Sequence, residues 1–170
     1  KKVMITGVHG LIAGAIYNKL SSDPASYDVH GLARRRQDAD RVSPDRVIDV
    51  REENFTLSDM QDLDEMSNAF KGMDVVVHMA ADPSGLGGWE SVLKSNIIGG
   101  YHAFEACRLA GVKRIVYASS IQASSGYRAY EEPYHSISQG EFDNLPDPLP
   151  LVTKEMPTRP TNIYASSKVW

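Results

Sequence analysis

Tyr164 and Lys168 lie four residues apart in the stretch Tyr164-Ala165-Ser166-Ser167-Lys168. On a helix that spacing puts both side chains on one face. A phenol titrates near 10 and is a poor base at neutral pH, but a neighbouring ammonium favours the phenolate. Such a pair can take a proton from a hydroxyl group. Taken bare, the same spacing also describes an ordinary surface pair, so the reading depends on what lies upstream.

Two upstream features supply partners for it. Ser120 follows the apolar run Arg114–Ser119 and offers a hydroxyl at a strand end; a capping serine reads the same way. Near the front, Thr6-Gly7-Val8-His9-Gly10-Leu11-Ile12-Ala13 places glycines between an apolar run and a helical pattern. Gly7 permits a tight turn, Gly10 lets backbone N–H groups approach a pyrophosphate, and a small residue at 13 lets helix and strand pack closely. His9, Leu11 and Ile12 complete the turn and the helix start, whose exposed donors and partial positive charge suit phosphates. Without context this is a glycine-containing turn; after a first strand and before an amphipathic helix it is a dinucleotide-binding pattern.

About twenty residues on, an acid would hold the ribose hydroxyls of NAD, whereas arginine suits a 2′-phosphate. Ala33 stands where the acid is expected, and Arg34-Arg35-Arg36 follows at once. Guanidinium groups match phosphate geometry, so the cofactor expectation is NAD(P) leaning to NADP, with Arg34 as the contact and a solvated basic turn as the alternative. Asp49-Val50, at the end of an expected third strand, would hold the adenine edge or act as a strand-end cap.

The elements that must position these groups alternate in type. Val3–Thr6, Tyr27–Ala33, Arg46–Val50, Asp74–His78 and Arg114–Ser119 read as strands, the fourth buried on both faces. Leu11–Leu20, Asp59–Phe70 and Glu90–Ala110 read as helices, and a last one begins before Tyr164. Strands alternating with helices imply an α/β, Rossmann-like, doubly wound parallel sheet in one domain over 1–170. From Ile121 to Pro160 periodicity is lost, and six of the nine prolines fall between Pro133 and Pro160. Residues 120–160 are therefore expected to be a long active-site loop without regular structure.

Composition narrows the class. The chain has 170 residues, 42% hydrophobic and 24% charged, with a formal net charge of −4. That balance suits a globular domain and argues against a nucleic-acid or membrane-surface binder. One cysteine, Cys107, permits no intrachain disulfide, and no apolar run reaches the length of a membrane span. With no signal-peptide pattern at the front, a cytoplasmic location is expected. The five histidines show no metal-ligand spacing, and no nucleophile elbow is present. His78 is expected to be packed rather than catalytic, Cys107 to be buried, and Trp89 and Phe104 to be core or helix-packing residues.

Together, Thr6-Gly7-Val8-His9-Gly10, Asp49-Val50, His78-Met79-Ala80-Ala81, Asn96-Ile97-Ile98-Gly99, Tyr117-Ala118-Ser119-Ser120 and Tyr164-Ala165-Ser166-Ser167-Lys168 resemble the extended short-chain dehydrogenase/reductases, the NAD-dependent epimerase/dehydratase family. "VVVHMAADPSG…WESVLKSNIIG", "RIVYASS" and "PTNIYASSK" look closest to the branch of uronate and related sugar dehydrogenases. The resemblance implies a catalytic set of Ser120, Tyr164 and Lys168, with Ala80 and Ala81 lining the cofactor crevice, Asn96 supporting the nicotinamide end and Lys168 bonding the nicotinamide ribose. It implies an oxidoreductase that removes hydride from a sugar-type hydroxyl. A nucleotide-sugar epimerase or dehydratase and a non-catalytic NAD(P) sensor are the alternatives. The partner is a small sugar-type substrate, and a homodimer is left open. Two departures stand out. Uronate dehydrogenases carry a polar Asn-His after the serine pair, where this chain has Ile121-Gln122, so uronate is not carried over. Family members also continue well beyond the Tyr-Lys pair, so a fragment lacking the C-terminal substrate region, inactive by itself, is expected.

Overall fold

The computed structural model describes residues 1–83 and 88–169. Residues 84–87, which include Ser84 and Gly85 of the family-like stretch, lie outside the described residues.

Five parallel strands form the sheet: β1 (Lys2–Thr6), β2 (Asp28–Ala33), β3 (Phe55–Leu57), β4 (Val75–His78) and β5 (Arg114–Tyr117), in the order β3-β2-β1-β4-β5. The chain moves outward from β1 through β2 to β3, then crosses back to β4 on the other side of β1. That reversal opens a crevice at the C-terminal ends of β1 and β4, where ligands bind in open α/β sheets. The helices are α1 (Leu11–Ser21), α2 (Leu63–Phe70), α3 (Gly88–Val92), α4 (Gly99–Ala110), α5 (Ser125–Tyr130), α6 (Tyr134–Gln139) and α7 (Ile163–Ser167).

The pleat divides the core. Val3 and Ile5 point to one face with Val29, Val77, Ala13 and Tyr17, while Met4 points to the other with Leu32, Val76, Met66, Phe70, Ala103 and Ala106. This is the period-two alternation of a strand buried on both sides. Each fully buried Phe or Met contributes roughly 1.5–3 kcal/mol, so α2 and α4 are held on the second face largely by Phe70, Met66 and Met4, all at most 1% exposed.

Several expectations change. Arg46–Val50 is not a strand. Ile48 and Val50 are buried against α1 in irregular backbone, and the third strand is Phe55–Leu57. Helix α2 starts at Leu63 rather than Asp59, because the Asp62 carboxylate accepts from Glu65 N at 2.8 Å and so caps it. The expected long helix from Glu90 is interrupted by a π-helical turn, Leu93–Ile98, between α3 and α4. The 120–160 stretch contains a 3₁₀ turn (Ile121–Ser124), α5 and α6 before it becomes irregular. Trp89 and Phe104 are 54% and 46% exposed, so neither is core, but Phe104 packs from α4 against Tyr117 of β5 with ring centroids 5.4 Å apart. Cys107 is buried as expected, and burial pushes its thiol up to about 11. Among the described residues no helix is long and apolar enough to cross a membrane.

Candidate active site

The glycine turn sits at the C-terminal edge of β1. Gly7 N and Val8 N both donate to Leu32 O, folding the turn over the end of β2. Gly7 has φ +68°, and a Cβ there would meet Ala80 Cα at 2.9 Å. Only glycine meets both demands without strain. Gly10 stands at the N-cap of α1 with extended backbone and no side-chain cap, and the first turn of α1 carries no acid. Leu11 and Ile12 are exposed there. A phosphate diester fits such a terminus, since backbone donors face outward and no side-chain oxygen competes for them. Small-residue packing extends past Ala13 to Gly14, where a Cβ would strike Ile48 Cδ1.

One hydroxyl ties β1 to β4. Thr6 Oγ1 accepts from Met79 N and Ala80 N, each at 3.2 Å, and lies 2.9 Å from His78 Nδ1. With both lone pairs occupied, the Thr6 proton goes to Nδ1, which leaves His78 neutral with its proton on Nε2. His78 is 2% exposed and stacks on Tyr117 with ring centroids 5.6 Å apart. Desolvation, aided by the nearby Lys168 charge, lowers it to about 4. This orders the Ala80–Ala81 end of the crevice and makes His78 a packed residue.

Lys168 follows α7 as its C-cap and is 6% exposed. Its ammonium donates to Ala118 O at 3.2 Å and lies 5.1 Å over the Tyr117 ring. Burial lowers its pKa from the ordinary lysine value. Tyr164 is half-buried one turn earlier on α7, and burial together with Tyr164 raises the Tyr117 phenol. Ser119 Oγ donates to Lys168 O at 2.9 Å, fastening the end of β5 to the end of α7. Ser120 caps the 3₁₀ turn, its Oγ accepting from Gln122 N at 3.2 Å, so its own proton remains to donate.

Asn96, 3% exposed in the π turn, joins these parts. Its Oδ1 accepts from Asp82 N at 2.7 Å, while Nδ2 donates to Asp82 O at 3.1 Å and to Ser167 Oγ at 2.9 Å. The loop after β4 and helix α7 are thereby held from one amide. Wider π turns often mark functional sites.

Sequence reasoning missed several of these groups. Asn162 caps α7 by accepting from Ala165 N at 2.7 Å, and its Nδ2 donates to Gln122 Oε1 at 3.0 Å. Gln122 thus ties the 3₁₀ turn to the tyrosine helix. The cap was legible as an Asn immediately before a helical run. Asp49 and Val50 do not end a strand. Asp49 is exposed and lines a cavity with Tyr17, Asn18, Tyr27 and Val29, toward the starting end of β2, and Val50 is buried. The acid that follows β3 is Asp59, whose Oδ1 accepts from Gln61 N at 3.0 Å. Arg34 and Arg36 are both exposed beyond the end of β2, and Arg36 is the more engaged. Its guanidinium donates to Val50 O at 2.6 Å, pairs with Glu52 and lies 5.0 Å over the Phe55 ring.

The model of the NAD dependent epimerase/dehydratase family matches residues 3–170. L-arabinose 1-dehydrogenase (NAD(P)(+)) of Haloferax volcanii is 30% identical over 172 residues, covering 99% of this chain and 58% of that protein. The NAD-dependent glucose-6-phosphate dehydrogenase of the same organism is 29% identical, covering 98% of this chain and 58% of that protein. The crystal structure of uronate dehydrogenase from Agrobacterium tumefaciens superposes with a TM-score of 0.69 at 21% identity, over 99% of this chain and 52% of that one. The chain therefore spans little more than half the length of these relatives.

Proposed function

This chain belongs to the NAD dependent epimerase/dehydratase family, and from that premise we propose that it forms the cofactor-binding part of an NAD(P)-dependent oxidoreductase acting on a sugar or sugar-derivative hydroxyl. The observation that carries the reading is the placement of Lys168. A buried ammonium is costly, yet it is held here by Ala118 O and the Tyr117 face, one turn after Tyr164. The strand end bearing Ser120 and the Gly7 turn belong to the same sheet edge.

In this reading the dinucleotide lies along that edge. The pyrophosphate rests on the turn formed by Gly7, His9, Gly10, Leu11 and Ile12, and Ala80, Ala81 and Asn96 border the nicotinamide end. The adenine role first given to Asp49 and Val50 passes to Asp59, which follows the third strand. A nicotinamide bound there supplies a hydride acceptor. Ser120 donates its remaining proton to the substrate oxygen and fixes its direction. Tyr164 takes the hydroxyl proton as the carbon–hydrogen bond breaks and the carbonyl forms. Lys168 stabilises negative charge beside it, with two of its three N–H groups left after the bond to Ala118. Relatives named for arabinose and glucose 6-phosphate support a sugar-type substrate. Arg34 at the end of β2 supports NADP, and Arg34→Ala is expected to weaken NADP binding selectively.

The family also contains epimerases, which return the hydride they remove, and this is the second reading. Incubating the full-length protein with sugars, uronates, sugar phosphates and nucleotide-sugars separates the two. Net accumulation of NAD(P)H supports the dehydrogenase; interconversion of nucleotide-sugars without accumulation supports the epimerase. Tyr164→Phe should abolish either turnover while dinucleotide binding persists. Unchanged cellular function in that variant would point instead to a sensor that performs no chemistry.

A further inference from the structure

Residues 34–38 form an arch that leaves β2 at Ala33 and returns to the glycine turn, where Ala39 N donates to His9 O at 2.9 Å. An adenosine ribose seated beside the turn at the end of β2 lies against this arch. The arch carries three arginines and one acid, and they are not equally available. All three arginines are exposed, but the Arg36 guanidinium is engaged by Val50 O, Glu52 and the Phe55 ring. The Asp38 carboxylate is bonded through Oδ1 to His9 Nδ1 at 2.6 Å. His9 is 8% exposed, its ring packs edge-on to Phe55 at 5.6 Å, and its backbone is fixed by the turn, so it is a rigid partner for a more exposed carboxylate.

We propose that His9 is a specificity-determining residue: by engaging Asp38 it withholds the one acid of the arch from the ribose, so that Arg34 and Arg35 present a basic surface that accepts a 2′-phosphate. This rests on the dinucleotide reading above. A free carboxylate at the same place would do the opposite, accepting the ribose hydroxyls of NAD and repelling the phosphate of NADP. Among the described residues the side chain bonded to this carboxylate is His9, while Arg36 on the same arch is paired with Glu52.

Fluorescence titration of the full-length protein with NADPH and with NADH at fixed salt tests this without requiring turnover. His9→Phe keeps a ring against Phe55 but cannot bond Asp38. It should shift the ratio of the two affinities about fivefold toward NADH, the effect of releasing one partly exposed charge. His9→Phe combined with Asp38→Asn has no carboxylate to release and should recover the wild-type ratio within about twofold. Equal loss of both cofactors in His9→Phe, or persistence of the shift in the double variant, would overturn the proposal. Asp38→Asn alone decides the matter independently of how well the His9 variants fold. Its ratio should stay put or move toward NADPH, and a selective loss of NADH of about tenfold would show that Asp38 reads the ribose directly. Wild-type protein that binds neither cofactor would overturn the dinucleotide reading itself; binding with unmoved ratios would overturn the role of His9 alone.

Discussion

His78 makes a quantitative demand on the pH dependence of folding. In the folded chain it is neutral, 2% exposed and lowered to about 4, while the unfolded chain presents an ordinary histidine near 6.5. Above pH 6.5 neither state binds the proton, so the residue contributes no slope. As pH falls from 6.5 toward 4, the unfolded state takes up a proton that the folded state refuses, and stability declines by up to about 1.4 kcal/mol per pH unit. The full drop is about 3 kcal/mol for a shift of that size, a large part of the margin of a small domain. Urea unfolding at pH steps from 7.5 to 4, on wild type and on His78→Asn, measures it. Asparagine places an amide oxygen where Nδ1 accepts the Thr6 proton and does not titrate. The variant loses stacking on Tyr117, so the slope and not the absolute stability is the readout. Asp28, whose carboxyl is held low chiefly by a hydrogen bond from His30, also loses stability in acid, but it is common to both proteins and cancels in the difference. A wild-type-minus-variant difference that does not change between pH 7 and 4.5 would refute the neutral, Thr6-bonded histidine, as would a His78 ring resonance titrating near 6.5.

Gly7→Ala forces a side chain into φ +68° and onto Ala80 Cα. It should cost about 1–3 kcal/mol and abolish dinucleotide binding, read by thermal melting and NADH titration; retained affinity would remove the turn from the site. Asn96→Ala strips three hydrogen bonds from Asp82 and Ser167 inside the π turn. A loss of about 2–3 kcal/mol in urea unfolding is expected, and a change below about 0.5 kcal/mol, the lower limit for one net hydrogen bond, would mean that the amide does not fasten α7.

Where the apolar pattern was strong, sequence and structure agree. Val75-Val76-Val77 is β-branched throughout and marks β4 unambiguously, and Gly111 closes α4 with φ +71°. The third strand was misplaced because Val47, Ile48 and Val50 look more strand-like than Phe55-Thr56-Leu57. Ile48 and Val50 are apolar in order to cover α1, not to join a ladder. With the strand at Phe55–Leu57, the acid that follows it is Asp59 rather than Asp49. The π turn left no trace because its sequence suits a plain helix; the signal is the buried amide of Asn96, which needs coordinates to be seen. Helices α5 and α6 were hidden by Ser, Gly and Tyr without periodicity. Tertiary bonds hold that region: Gly126 N donates to Arg159 O at 2.6 Å, and Tyr127 OH donates to Pro157 O at 2.8 Å.

Helix α7 (Ile163–Ser167) is tied to the body of the domain by long-range bonds. Asn96, Ser119 and Ala118 reach this segment across separations of 71, 49 and 50 residues. Tyr164 and Lys168 are therefore oriented through segments that follow β4 and β5. A ligand that contacts this helix should slow amide exchange at Ala165 and Ser166, whose N–H groups bond Asn162, so exchange there reports site occupancy.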